Sequence, residues 1–176
     1  MMMQGHSRAN AAFLCLVLFL FASPLQPAGV AAGEASRVGL VIVFDEVNTL
    51  LTCVEFGETE LSGVDLLRHA DLTIVAQVSG VGEAVCKIED IGCDFPGEDC
   101  FCECPGSLCI YWSYWYWEDG GWVYSGKGGS NRTVHDGCID GWVWGNGETP
   151  PPLVEFASVC GSPTEDPTLT DTPAPD

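Results

Sequence analysis

The chain has 176 residues, with 25 acidic against 6 basic side chains and a formal net charge of −19. A charge of that size and sign repels nucleic acid and anionic membrane surfaces, so neither is an expected partner. Ten cysteines in so short a sequence point away from the reducing cytoplasm, where disulfides rarely persist.

Residues 1–10 are polar, carry His6 and Arg8 and hold no acid; residues 11–22 (AAFLCLVLFLFA) form an uncharged apolar run. Ser23, Pro24 and Pro27 follow, then the small residues 28–32. This is the pattern of a secretory signal peptide over residues 1–32, with cleavage after Ala32, or as second choice after Ala35. The apolar run falls short of the ~20 residues that cross a bilayer. No second hydrophobic span follows, so the mature chain is expected to lack a membrane span. It is long enough for one domain with a real core, placed at residues 38–160.

Residues 38–44 (VGLVIVF) and 50–56 (LLTCVEF) read as two strands joined by turn residues 45–48, a hairpin. Ser62 opens a short helix over 62–70 (SGVDLLRHA), with Asp65 as the capping-box acid and Val64, Leu66 and Leu67 toward the core. Residues 72–78 and 84–89 are further strands. Residues 90–108 mix glycine, proline and cysteine, and should form an irregular loop held by disulfides. The aromatic run 109–117 (CIYWSYWYW) is a strand, 118–121 a turn, 122–125 a return strand and 126–130 a flexible loop. Asp136 and Gly137 make a turn before a strand at 138–144. Residues 153–160 run back across the domain, pinned by Cys160. Residues 161–176 (GSPTEDPTLTDTPAPD) have the composition of a disordered tail. One short helix on a mixed or antiparallel sheet makes the expected class α+β.

Nine cysteines lie beyond the expected cleavage site: Cys53, Cys86, Cys93, Cys100, Cys102, Cys104, Cys109, Cys138 and Cys160. At this density in an exported chain they read as a disulfide framework, and the odd count leaves one over. Spacing does not fix the pairing, since eight cysteines alone allow 105 connectivities. Cys100, Cys102 and Cys104 alternate along the chain, so in an extended segment their sulfurs share a side and each must reach a different partner. Zinc sites favour paired Cys-x-x-Cys knuckles, which the sequence lacks, and no metal site is assigned. The acids Glu89, Asp90, Asp94, Glu98 and Asp99 do not match a calcium-loop spacing and read as solvated.

The aromatic residues carry the functional expectation. Ten tyrosines and tryptophans fall between Tyr111 and Trp144. In a strand, Trp112, Tyr114 and Tyr116 face one way and Tyr111, Trp115 and Trp117 the other. One face should pack on the helix, and the other could cover a thin core or offer a platform to a flat ligand, a sugar or a partner. The ligand-binding candidates are Trp112, Tyr114, Trp115, Tyr116, Trp117, Trp122, Trp142 and Trp144. Catalytic signatures are missing: residues 121–127 nearly fit a phosphate loop but Gly128 stands where Ser or Thr is needed, no G-x-S-x-G elbow occurs, and neither His69 nor His135 has a nucleophile partner. Asn131-Arg132-Thr133 is a glycosylation sequon.

Ser62, Asp65 and Leu67, then Trp112, Tyr114 and Trp115, then Asp136, Gly137 and Trp142 follow one pattern: a Ser/Thr-x-x-Asp-x-Leu helix after a hairpin, a Trp-x-Tyr strand, and a closing turn and strand ending in Trp. Over about residues 38–145 the chain resembles the transcobalamin C-terminal-like domain family, in a cysteine-rich bacterial exported branch. The resemblance implies a β-grasp-like module that binds and does not catalyse. In that family the module covers one face of a corrinoid; the helical barrel that forms the other half of such a site is absent here. Members of that branch often continue through a Pro/Thr-rich stalk into an anchor, whereas this sequence ends within the stalk, either released or truncated. Cys138 stands where the family pattern has Asp, which makes Cys138 the expected odd cysteine.

The sequence thus leads to an exported, non-catalytic, cofactor-free binding module, secreted or cell-surface associated. Its partner would be a small flat ligand, with a corrinoid among the candidates, or a surface protein. A structural or adhesive surface domain without a small ligand is the alternative.

Overall fold

The computed structural model describes residues 35–161. The signal peptide expected over 1–32 and the tail expected over 161–176 lie outside the described residues, apart from Gly161. Strands β1 (Ser36–Val43) and β2 (Thr49–Phe56) form the expected antiparallel hairpin, with Leu40 opposite Thr52. Its turn is closed by the Asp45 carboxylate, which accepts from the amides of Val47 at 2.9 Å and Asn48 at 2.8 Å. Such an Asx turn stands in for a backbone turn.

The short β3 (Leu61–Ser62) leads into α1 (Gly63–His69). Ser62 caps it: its Oγ accepts from the Asp65 amide at 3.0 Å and donates to the Asp65 carboxylate at 2.7 Å. This satisfies one of the orphan amides of the first turn. Strands β4 (Ile74–Ser79), β5 (Gly82–Ile88) and β6 (Ile91–Gly92) make a separate three-stranded sheet. Then come β7 (Tyr111–Glu118), β8 (Gly121–Tyr124), a 3₁₀ turn at Gly129–Asn131, β9 (Thr133–Val134) paired with β3, and β10 (Ile139–Gly145). A last helix, α2 (Phe156–Cys160), ends the described chain.

The main sheet has the order β2-β1-β10-β7-β8. Its central pair, β1 and β10, is parallel; every other neighbouring pair is antiparallel. One face carries Val38, Leu40, Ile42, Val54, Phe56, Trp112, Tyr114 and Trp142, packed with Val64, Leu66 and Leu67 of α1 and with Val85 and Ile88 of β5. All three helix residues expected in the core are buried there. Each such side chain stabilises the fold by roughly 1.5–3 kcal/mol.

The other face is covered by the chain end. Val159 of α2 packs over Gly39, Pro151 packs over Gly141, and the Trp122 indole donates to the Pro152 carbonyl at 3.0 Å. A disulfide, Cys53–Cys160, fastens this strap to β2. The result is a layered α+β fold, mostly sheet.

Residues 153–160 run back across the domain and are pinned by Cys160, and five of them form α2, with Glu155 and Ser158 making a reciprocal cap. Two expectations need correcting. The segment 90–108 is not wholly irregular, because β6 pairs with β5. Residues 126–130 are not a free loop but are tied by the hydrogen bonds described below. No helix among the described residues is long and apolar enough to cross a membrane.

Candidate functional site

β8 is shorter than β7 and leaves part of its edge uncovered. The last rung is the Ser125 amide, which donates to the Tyr114 carbonyl at 2.9 Å. Backbone groups two residues apart in a strand point the same way. The amide and carbonyl of Trp112 therefore face the same side, where β8 has already ended at Tyr124. Opposite this edge stands the β4–β5 hairpin, with Val81, Glu83 and Val85. Between them lies a cleft of about 190 Å³.

Its walls come from segments far apart in the chain. Tyr111, Trp112 and Tyr114 of β7 and Trp142 of β10 form one side; Tyr124 and Phe101 stand at the rim; residues 125–130 close the end. Tyr111 and Tyr124 join hydroxyls at 3.0 Å. Burial and then this hydrogen bond push the Tyr111 phenol up to about 12, so it stays a neutral donor at ordinary pH. Phe101 meets Tyr111 edge-on at 6.3 Å between ring centres.

The stapled loop positions Phe101. It lies between Cys100, bonded to Cys86 of β5, and Cys102, bonded to Cys93 just after β6. Cys104 pairs with Cys109. The three alternating sulfurs thus reach three different partners, as their spacing demanded. Eight cysteines pair, and Cys138 is the free one among the described residues. Its thiol is pushed up, mainly by burial.

Residues 125–130 are held over the cleft. The Asn131 amide donates to the carbonyls of Val81 and Lys127, both at 3.1 Å. The Glu83 amide donates to Ser130 Oγ at 2.9 Å, and Ser125 Oγ donates to the Gly128 carbonyl at 3.2 Å. Gly129 packs flat on the Trp142 ring; a Cβ there would fall 2.6 Å from the indole, so no other residue fits without a shift.

Of the sequence candidates, Trp112, Tyr114 and Trp142 line the cleft, although each is at most 5 % exposed and also belongs to the core. Trp144 packs on Trp112 at 5.6 Å, outside the cleft. Tyr116 lies under the Arg132 guanidinium, 4.1 Å from its ring centre. Trp117 and Trp122 meet edge-on at 5.3 Å at the far end of the β7–β8 hairpin. Trp115 is only 7 % exposed, its indole donating to Ser113 Oγ at 3.0 Å. The second aromatic face is therefore not an open platform, because the Pro151 strap and Trp122 lie across it. Tyr111 and Tyr124 belonged to the aromatic block but not to the candidates, Phe101 carried no signal, and Lys127 figured only at the end of the rejected phosphate-loop match. Loops distant in sequence bring them in.

A second polar cluster sits behind the cleft wall. Asp140 is fully buried, and the Tyr114 hydroxyl donates to its Oδ2. Burial pushes the Asp140 carboxyl up to about 6, against the lowering effects of Tyr114, Arg132 and His135. Tyr114 rises with it, chiefly through burial. Asp140 is fully buried and Tyr114 is 2 % exposed, so the pair fixes one end of the Tyr114 ring inside the fold.

The acids around Cys93 do not assemble a metal centre. Cys93, Cys102 and Glu98 lie close together, but both sulfurs are spent in one disulfide. Asp94 is paired with Lys87 at 2.7 Å, and Glu98 accepts from the Asp94 amide at 2.6 Å. Neither a scan against models of known protein families nor a search of curated proteins finds a match for this chain.

Proposed function

We propose that the chain is an exported, non-catalytic binding module that takes a small planar ligand in the cleft between β5 and the free edge of β7. The observation that carries the reading is the cleft itself: aromatic walls, a backbone edge with no strand against it among the described residues, and a loop fixed over its end. Pockets of this make-up are the usual form of a small-molecule site. The four disulfides and the absence of a membrane-length helix among the described residues are compatible with a place outside the cell.

The sheet order β2-β1-β10-β7-β8 around a parallel central pair, with α1 following the first hairpin, supports the β-grasp-like reading and the transcobalamin-like resemblance. Size argues against enclosure of a corrinoid. A cavity of about 150 Å³ in an apolar core holds a single benzene ring, so about 190 Å³ suits a one- or two-ring molecule.

Two of the six tryptophans, Trp112 and Trp142, line the cleft, so tryptophan emission includes a signal from its wall. Titration with corrinoids, haem, glycans and small ring compounds should give a saturable change for the ring compounds, lost in Tyr124→Ala and Phe101→Ala, two rim variants outside the core. A flat response to every class would overturn the ligand reading.

A further inference from the structure

Resting on the cleft reading above, we infer that the ligand is a small aromatic acid, a one- or two-ring molecule whose single carboxylate pairs with the ammonium of Lys127.

The charge pattern carries this. The basic residues of the described segment are Arg37, Arg68, Lys87, Lys127 and Arg132. Arg37 lies 3.7 Å from Glu55, Arg68 pairs with Asp65 and Glu83, and Lys87 pairs with Asp94. Arg132 stacks on Tyr116. Lys127 alone, among the described residues, has neither an acidic nor an aromatic partner. In a chain of net charge −19, an exposed lysine has acids to choose from almost everywhere. This one instead stands in the lining of the apolar cleft.

The lining holds one acid, Glu83, which is ion-paired with Arg68, a cation that Asp65 shares. An incoming carboxylate would therefore meet one unpaired positive charge, while the one acid of the lining already has a cationic partner. The backbone of Lys127 is anchored through its carbonyl to Asn131, so the ammonium swings from a fixed base. Tyr111, Tyr124 and Phe101 supply ring faces and edges for the planar part. A charge-assisted pair next to apolar walls is stronger than the same pair in open water. A cationic ring would be attracted to the chain at long range but repelled at the cleft.

Three indoles of similar size separate the charges: indole-3-acetate, the neutral indole-3-acetamide and tryptamine, titrated calorimetrically into the mature chain. The acid should bind about tenfold more tightly than the neutral ring, with the amine weakest. Lys127→Gln should bring acid and neutral ring to equal affinity, while Lys127→Arg keeps the preference. Equal binding of acid and neutral ring by the unmodified protein, or a preference that survives Lys127→Gln, overturns the assignment to an acid and leaves the cleft reading standing. Binding by none of the three overturns both.

Discussion

The hydroxyl of Tyr114 donates to the carboxylate of Asp140 across neighbouring strands of the main sheet, with both groups out of reach of solvent. One end of the Tyr114 ring is thereby fixed by a buried acid. The other side lines the cleft and stacks at 4.8 Å on Trp142. The polar cluster holds the aromatic wall in place, and its proton balance sets how firmly.

Asp140→Asn tests that relationship. The folded carboxyl titrates at about 6, against about 3.9 in an unfolded chain. The native state therefore holds this proton more strongly. Its contribution is fully present below about pH 4 and is lost as pH rises to about 6, a fall of roughly 2–3 kcal/mol. Asparagine still accepts from Tyr114 but carries no charge. Urea unfolding at pH 4 and pH 7 should show the variant gaining on the wild type as pH rises, and parallel curves would refute the buried-acid account.

Removing the strap's fastening should be costly. Cys53 and Cys160 are 107 residues apart, and a loop of that size restricts the unfolded chain by about 4–5 kcal/mol in the chain-entropy picture. Cys53→Ser with Cys160→Ser should lower stability by about 2–5 kcal/mol in chemical denaturation and expose Trp122 to quenchers. The same double change at Cys104 and Cys109, only 5 apart, should cost less.

Asn131→Ala removes the two carbonyl contacts that hold the loop over the cleft. Exposed hydrogen bonds contribute about 0.5–1.5 kcal/mol each. Global stability should fall by about 1–2 kcal/mol, while amide exchange at residues 125–130 rises well before the sheet opens. Equal exchange in variant and wild type would show that the loop is held some other way.

Cys138 is half-buried, and burial, followed by nearby Asp140 and Asp136, raises its thiol above the ordinary range despite the lowering from a backbone hydrogen bond at His135 and from Arg132. A thiol reagent at pH 7 should react with the native domain more than about tenfold more slowly than with the denatured one, because only the thiolate attacks. Rapid native reaction would place the sulfur in solvent.

Much of the scaffold could be read from local signals. The β1–β2 hairpin followed from two apolar runs around turn residues, and α1 from Ser62 and Asp65, whose side chains meet as their three-residue spacing implies. α2 escaped notice because five residues after a proline run carry too little periodicity to register. The two faces of β7 could be told apart, but not what lay on them: Pro151, 36 residues beyond Trp115 in sequence, decides whether that face is wet. The cleft was illegible for the same reason. Phe101, Tyr124 and Lys127 come together only through disulfides and loop hydrogen bonds, and 105 possible pairings concealed the first of these.

The parallel pairing of β1 with β10 has a kinetic consequence. Gly39 lies beside Ile139 in the middle of the sheet, so the first strand made must wait for one of the last. Until β10 arrives, β1 and β7 each present an unsatisfied edge, and the sheet exists only as two separate hairpins. Topologies dominated by such distant contacts fold slowly, because loop closure precedes its reward. The five-stranded sheet can therefore close only once almost the whole of the described chain is available, and its two halves gain their shared core in one late step.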